Sequence, residues 1–193
     1  MNLSRSELFV QYLTHTIGDY TNLYGIESED DAMGLVLAIT YQNYPEKGLL
    51  TAFTYGLSEA THPEWKTEKP ELSITVESSD EQWGVAIANL VEWYRKDDSF
   101  LPGSLFQLGK PVSGESAMDS FLVFNLAIGK ENEFQKIEMN GTKISIYGVH
   151  PLYHSEVELI KKIGIRKLMQ LKEYRLFSVT RPDLSALYKV GGM

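Results

Sequence analysis

Ser58, Glu59, His62, Glu64 and Trp65 crowd into one short stretch, Y-G-L-S-E-A-T-H-P-E-W, which brings together a hydroxyl, two carboxylates, an imidazole and an indole. Ser58 could serve as a nucleophile, because Y-G-L-S approximates the turn that presents a catalytic serine. Ala60, however, stands where the second glycine of G-x-S-x-G belongs, and no capping signal opens a helix directly after it. Glu59 and Glu64 could share acid–base work, against the simpler reading of a solvated loop. Trp65 could anchor a protein partner or close a sheet edge as ordinary core. The residue types alone leave these readings open.

A second group, His150, His154 and Glu156, has the donor types of a metal centre. In one helix the two histidines would share a face. Pro151 and a helix start near Ser155 instead make the pair straddle a strand-to-helix turn, and capping and packing account for it better. Neither G-x-x-x-x-G-K-[ST] nor G-x-G-x-x-G occurs, so no phosphate-binding loop is expected. Lys161, Lys162, Arg166 and Lys167 cluster without interleaved aromatics, which reads as a solvated helix face and not as a nucleic-acid surface.

The elements that must position these residues follow from periodicity and punctuation. Residues 49–57 are apolar at nearly every position, as in a strand covered on both faces, while Leu72, Ile74 and Val76 alternate with hydroxyl residues like a half-buried strand. The loop between them carries the first group. Upstream, Ser4 and Glu7 form a capping box for a helix over residues 3–18, followed by a polar, acidic connection over 19–31 and a strand over 33–41. Downstream, Ser79 and Gln82 cap a helix running to about residue 96, whose face of Trp83, Ile87, Leu90, Val91 and Tyr94 should lie on the sheet.

Residues 97–114 are punctuated by Gly and Pro, with a short strand at 105–108, and a further buried strand spans 120–128. Residues 134–139 and 143–149 pair across Asn140-Gly141, a type I′ turn signal. Ser155 and Glu158 cap a last helix with Val157, Ile160, Leu168 and Leu171 on one face. Gly164 in its middle suggests close approach of the backbone to something bulky. A tail with Arg181 and a short apolar run at 184–188 is expected to pack loosely.

With 193 residues, 43% hydrophobic and 23% charged, the chain suits one folded domain. It has no cysteine, no long apolar run and no signal-peptide organisation at its start, which together point to the cytoplasm. A net charge of −8 disfavours nucleic acid and favours a basic partner, or simply reflects solubility.

Two blocks carry a family resemblance. T-Y-G-L-S-E from Thr54, H-P-E-W from His62 and P-E-L from Pro70 form the first; I-Y-G-V-H-P-L from Ile146, with Glu156, Gly164 and Leu168, forms the second. With an amphipathic helix between them, they resemble the suppressor of fused domain over roughly residues 23–171. The resemblance implies an α/β (α+β) fold with a central mixed sheet flanked by helices. It makes residues 1–193 a single such domain, with an N-terminal helix at 4–18 and a tail at 172–193. No catalytic residue, cofactor or metal is implied, and protein binding takes their place, by a monomer or weak dimer without nucleic-acid or membrane partners.

Animal members hold a partner peptide as an extended strand between two domains; the short tail here is not expected to supply the second. Stand-alone bacterial relatives suggest an immunity protein that neutralises a polymorphic toxin. The alternatives are an adaptor that binds a peptide by strand addition, or a hydrolase using residues 58–64. The family's partner-facing loop maps onto Ser58, Glu59, His62, Glu64 and Trp65, and Glu59, Glu64 and the acidic run at 27–31 would steer a basic toxin domain.

Overall fold

A computed structural model describes residues 3–28, 33–129, 133–134 and 137–188. The acidic run at 27–31 lies in part outside these residues, as do positions 135–136 of the expected hairpin and the end of the tail.

Helix α1, Arg5–Ile17, starts as its capping box requires: Ser4 Oγ accepts from the Glu7 amide, and the Glu7 carboxylate accepts from the Ser4 amide at 2.7 Å. Strands β1 (Asn22–Ile26), β2 (Val36–Gln42), β3 (Leu49–Tyr55) and β4 (Lys69–Glu77) follow, then helix α2 (Gln82–Tyr94). Strands β5 (Leu105–Gln107), β6 (Ser120–Phe124), β7 (Ile137–Met139) and β8 (Thr142–Leu152) complete the sheet. Helices α3 (His154–Ile163), α4 (Ile165–Met169) and α5 (Leu184–Leu187) end the chain.

The sheet has the order β1-β2-β3-β4-β8-β6-β5, with β7 paired to β8. All neighbours are antiparallel except β4 and β8, which run parallel with Leu72 opposite Tyr147, so the sheet is mixed. Helix α1 lies on one face, where Phe9 meets Tyr55 with ring centroids 5.3 Å apart. Helix α2 lies on the other, packing Trp83, Ile87, Leu90 and Val91 against Val36, Leu50, Leu72 and Ile74. None of the described helices is long and apolar enough to cross a membrane.

Several sequence expectations change in three dimensions. β4 is buried on both faces, because as a central strand it is covered from either side and its alternation of hydroxyl and apolar residues is not an inside–outside pattern. Residues 22–26, expected to be connection, form the edge strand β1, held by its register with β2 despite weak intrinsic signal.

The boxes expected at Ser79 and Ser155 do not form. The Gln82 amide is taken by Asp80 Oδ1 at 3.0 Å, and α3 starts two residues earlier than expected, where Glu156 accepts from the Tyr153 amide at 3.1 Å. Tyr94 turns partly outward at the end of α2, 38% exposed. The last helix is broken: Gly164 has φ +84° and separates α3 from α4. No heavy atom stands within 4 Å of a Cβ built there, so backbone conformation and not close packing accounts for the glycine. The Asn140-Gly141 turn has positive φ at both residues, as the hairpin requires.

The tail is anchored. Arg181 is buried and its Nη2 meets Glu156 Oε2 at 2.7 Å, while Leu184 N donates to Glu156 Oε1 at 3.0 Å. A guanidinium fork pairs both carboxylate oxygens, a geometry that one tail residue supplies to a helix start 25 positions earlier.

Candidate functional site

The turn that leaves β3 is built around a carboxylate. Glu71, fully buried on β4, accepts at Oε1 from the Gly56 amide (2.9 Å), the Ser58 amide (2.9 Å) and Ser58 Oγ (2.7 Å). Its Oε2 accepts from Thr54 Oγ1 at 2.8 Å, and Thr54 Oγ1 in turn accepts from the Leu72 amide. Gly56 has φ +130°, and a Cβ there would come within 2.9 Å of the Leu35 carbonyl oxygen, so only glycine lets the chain pass. Leu57 then drops into the core.

Two cations hold the same turn from its carbonyl side. Lys69 Nζ donates to Ser58 O (2.9 Å) and Ala60 O (2.7 Å). Arg95 Nη1 donates to Gly56 O at 3.2 Å, and its Nη2 to Gly34 O at 2.9 Å. Burial pushes the Glu71 carboxyl up to about 7, against the opposing pull of its hydrogen bonds from Ser58, Gly56 and Thr54, and burial pulls the Lys69 ammonium down.

These contacts divide the loop residues into three sets. Ser58 is buried and its hydroxyl is committed to Glu71, so neither a substrate nor a partner reaches it; both the nucleophile and the partner-facing reading of Ser58 give way to a structural one. Glu59 turns toward α1, where it pairs with Arg5 and accepts from the Tyr55 hydroxyl, whose pKa rises through burial and this carboxylate. A carboxylate so engaged is a poor steering charge. His62, Glu64 and Trp65 form the outer crown. The Glu64 amide donates to His62 Nδ1 at 3.2 Å, the Glu64 residue is exposed, and the His62 and Trp65 rings lie 5.8 Å apart.

Trp65 combines the two readings left open for it. Its Nε1 donates to Ser99 O at 2.7 Å and its ring packs partly against the α2-side core, yet the residue remains partly accessible. Ser99 precedes Phe100, which stacks on Phe106 of β5 at 4.8 Å, and Phe106 touches Tyr94 at 5.5 Å. The crown thus joins the free edge of β5 and the end of α2, where Trp93 is 55% exposed.

The second group disperses. His150 is buried with Nε2 3.1 Å from Asn125 O, and burial lowers its pKa; His154 is exposed beside Asp119; Glu156 is committed to Arg181. No set of three potential ligands clusters among the described residues. Lys161, Lys162, Arg166 and Lys167 are all exposed, and Lys161 pairs with Glu158.

Sequence reasoning missed Glu71, Lys69, Arg95 and Arg181 as individuals. Glu71 did carry a signal, a charged residue directly preceding the apolar alternation of a strand; the other three carried none.

The sequence profile described as Suppressor of fused protein (SUFU) matches residues 31–183. No curated protein matches the sequence. Among solved structures, a SUFU homologue from Neisseria gonorrhoeae FA 1090 shares 13% identity, with a TM-score of 0.61 over 84% of this chain and 85% of its own. A chain of the Sufu–Fu complex crystal structure shares 11% identity, with a TM-score of 0.64 over 95% and 93%. Drosophila Suppressor of Fused shares 13%, with a TM-score of 0.60, this chain spanning 94% of its own length but 51% of that protein. At these identities the structures speak to the fold. The profile match extends over most of the sequence and takes in the clamped turn, the Trp65 crown and the Glu156–Arg181 pair, and on that match the chain belongs to the suppressor of fused protein family.

Proposed function

We propose that this protein is a protein-binding module, in its most specific form a cytoplasmic immunity protein that binds a cognate toxin domain and neutralises it by covering its active surface. The observation that carries the reading is Trp65. Its indole is held at one end by the bond to Ser99 O, sits on a turn pinned by Glu71, Lys69 and Arg95, and stays open to a partner. A large side chain ordered before binding loses little entropy on association, which is what a binding hot spot needs. Membership in a family one of whose relatives is seen in the Sufu–Fu complex supports the same reading.

The docking face centres on His62, Glu64 and Trp65, linked through Ser99, Phe100 and Phe106 to Tyr94, next to which in the chain stands exposed Trp93. Glu64, together with the net charge of −8, favours a basic partner, and association slows as salt rises. The free edge of β5 on this face favours the adaptor variant, in which a partner segment adds as a strand.

Affinity capture of the tagged protein from its own cells, beside Trp65→Ala and Trp93→Ala, tests the proposal. One stoichiometric partner carrying a toxic domain, lost with Trp65→Ala, is the expected result. A partner retained by both variants overturns the assignment of this face, and a partner without toxicity overturns the immunity role.

A further inference from the structure

The two faces of the sheet are covered unequally at the β1 edge. On the α2 side, Tyr24 and Ile26 of β1 pack against the core. On the α1 side, cover fades strand by strand: Ile39 of β2 is buried, Leu37 is half-buried, Leu23 of β1 is 43% exposed, and Leu35, just before β2, is 53% exposed. Gly25, opposite Leu37, adds no side chain to this face. Two adjoining cavities of about 510 and 360 Å³ occupy the gap. Leu35 and Tyr55 line the larger, Leu3, Val10 and Leu23 the smaller, and Leu37 and Ser6 line both.

The gap has the width of a helix. Through Phe9 and Tyr55, α1 rests on β3, and β1 lies two strands further on. Strands repeat at about 4.8 Å, so two of them span roughly 10 Å, the spacing of packed helices at about 8–10 Å. A single extended strand laid over this face would leave part of that width open. The rim carries an exposed carboxylate, Glu7, on the wall of the smaller cavity. The cation in the wall, Arg5, is already paired with Glu59. The occupant that matches apolar floor, helical width and rim carboxylate is an amphipathic helix with a basic polar face.

We infer that the groove between α1 and β1 docks a basic amphipathic helix of a partner protein, which completes the helical layer on that side of the sheet. The larger cavity borders Glu59, on the loop that carries Trp65, and the groove leads from there between α1 and β1; the inference does not depend on the proposed immunity role.

The test uses the full chain and a fluorescently labelled Leu/Lys amphipathic helical peptide, against a scrambled peptide of the same composition. The Leu/Lys peptide is expected to bind in the micromolar range and the scrambled one not. Leu23→Asp and Leu35→Asp, at exposed positions, weaken binding by about tenfold or more, as the loss of one apolar contact implies. Leu35→Ser is the milder control, circular dichroism verifies that each variant folds, Glu7→Gln weakens binding about twofold through the rim charge, and Trp65→Ala leaves it unchanged. No binding, equal binding of the scrambled peptide, or indifference to both leucine substitutions overturns the inference. A dimer in sedimentation that Leu35→Asp dissolves also overturns it, since the groove then holds a second copy.

Discussion

Glu71 and Glu156 are both fully buried, yet one is surrounded by neutral donors and the other by a guanidinium. Glu71 collects two amides and two hydroxyls from residues within 18 positions of it, all at the turn that its own strand neighbours. Glu156 collects an arginine and the Leu184 amide from the far end of the chain, besides its own helix start. Dipoles stabilise a buried carboxylate less than a full opposite charge does, so the Glu71 carboxyl is raised toward neutrality and can hold its turn in either protonation state. At Glu156 the charge is what ties the tail to α3. The first arrangement shapes a local turn; the second closes the fold over distance.

Breaking the ion pair has the largest expected effect. Arg181→Met leaves a buried carboxylate without its cation and lowers unfolding free energy by about 3–5 kcal/mol in a denaturant titration. Adding Glu156→Leu should recover a substantial part of that loss. If the double variant is as unstable as the single one, packing and not charge holds the tail.

Changing only the protonation of Glu71 sharpens the contrast. A proton on Oε2 would be donated to Thr54 Oγ1, and the amide of Glu71→Gln makes the same bond, so the variant mimics the neutral acid. A carboxyl whose folded pKa lies near 7, above its ordinary 4.5, contributes most stability below about 4.5 and loses it as pH rises through 7. Between pH 5 and pH 8.5 wild type should therefore lose about 2 kcal/mol relative to Glu71→Gln. His150 works in the other sense, since its lowered pKa costs stability as pH falls below about 6.5; it is common to both proteins and cancels in the difference. A pH-independent difference would show that the hydrogen bonds keep Glu71 ionised throughout.

The smallest effect is expected from Ser58→Ala, which removes one donor of four while both amides still reach Glu71. A loss of about 1 kcal/mol in thermal unfolding, with partner capture unaffected, fits a structural hydroxyl. Loss of capture with unchanged stability would return Ser58 to the binding surface.

Local chemistry made much of this protein legible in the chain. The α1 box, the doubly buried β3, the Asn140-Gly141 hairpin and the apolar face of α2 from Trp83 to Val91 each depend on interactions a few residues apart or on simple periodicity. The family blocks were legible too, because T-Y-G-L-S-E and P-E-L lie on the turn and strand that Glu71 joins.

Tertiary structure alone decided which side chains of the loop point inward and which stay exposed. The loop composition is the same whether Ser58 points in or out; it points in because Glu71, thirteen positions later, must be satisfied once β4 is buried on both faces. Arg181 reads as part of a loosely packed tail until α3 presents the Glu156 carboxylate to it. β1 carries little strand signal and exists through its register with β2, and that same pairing leaves Leu23 and Leu35 uncovered at the edge. Periodicity reports what a segment prefers; burial and pairing with distant residues assign what it does.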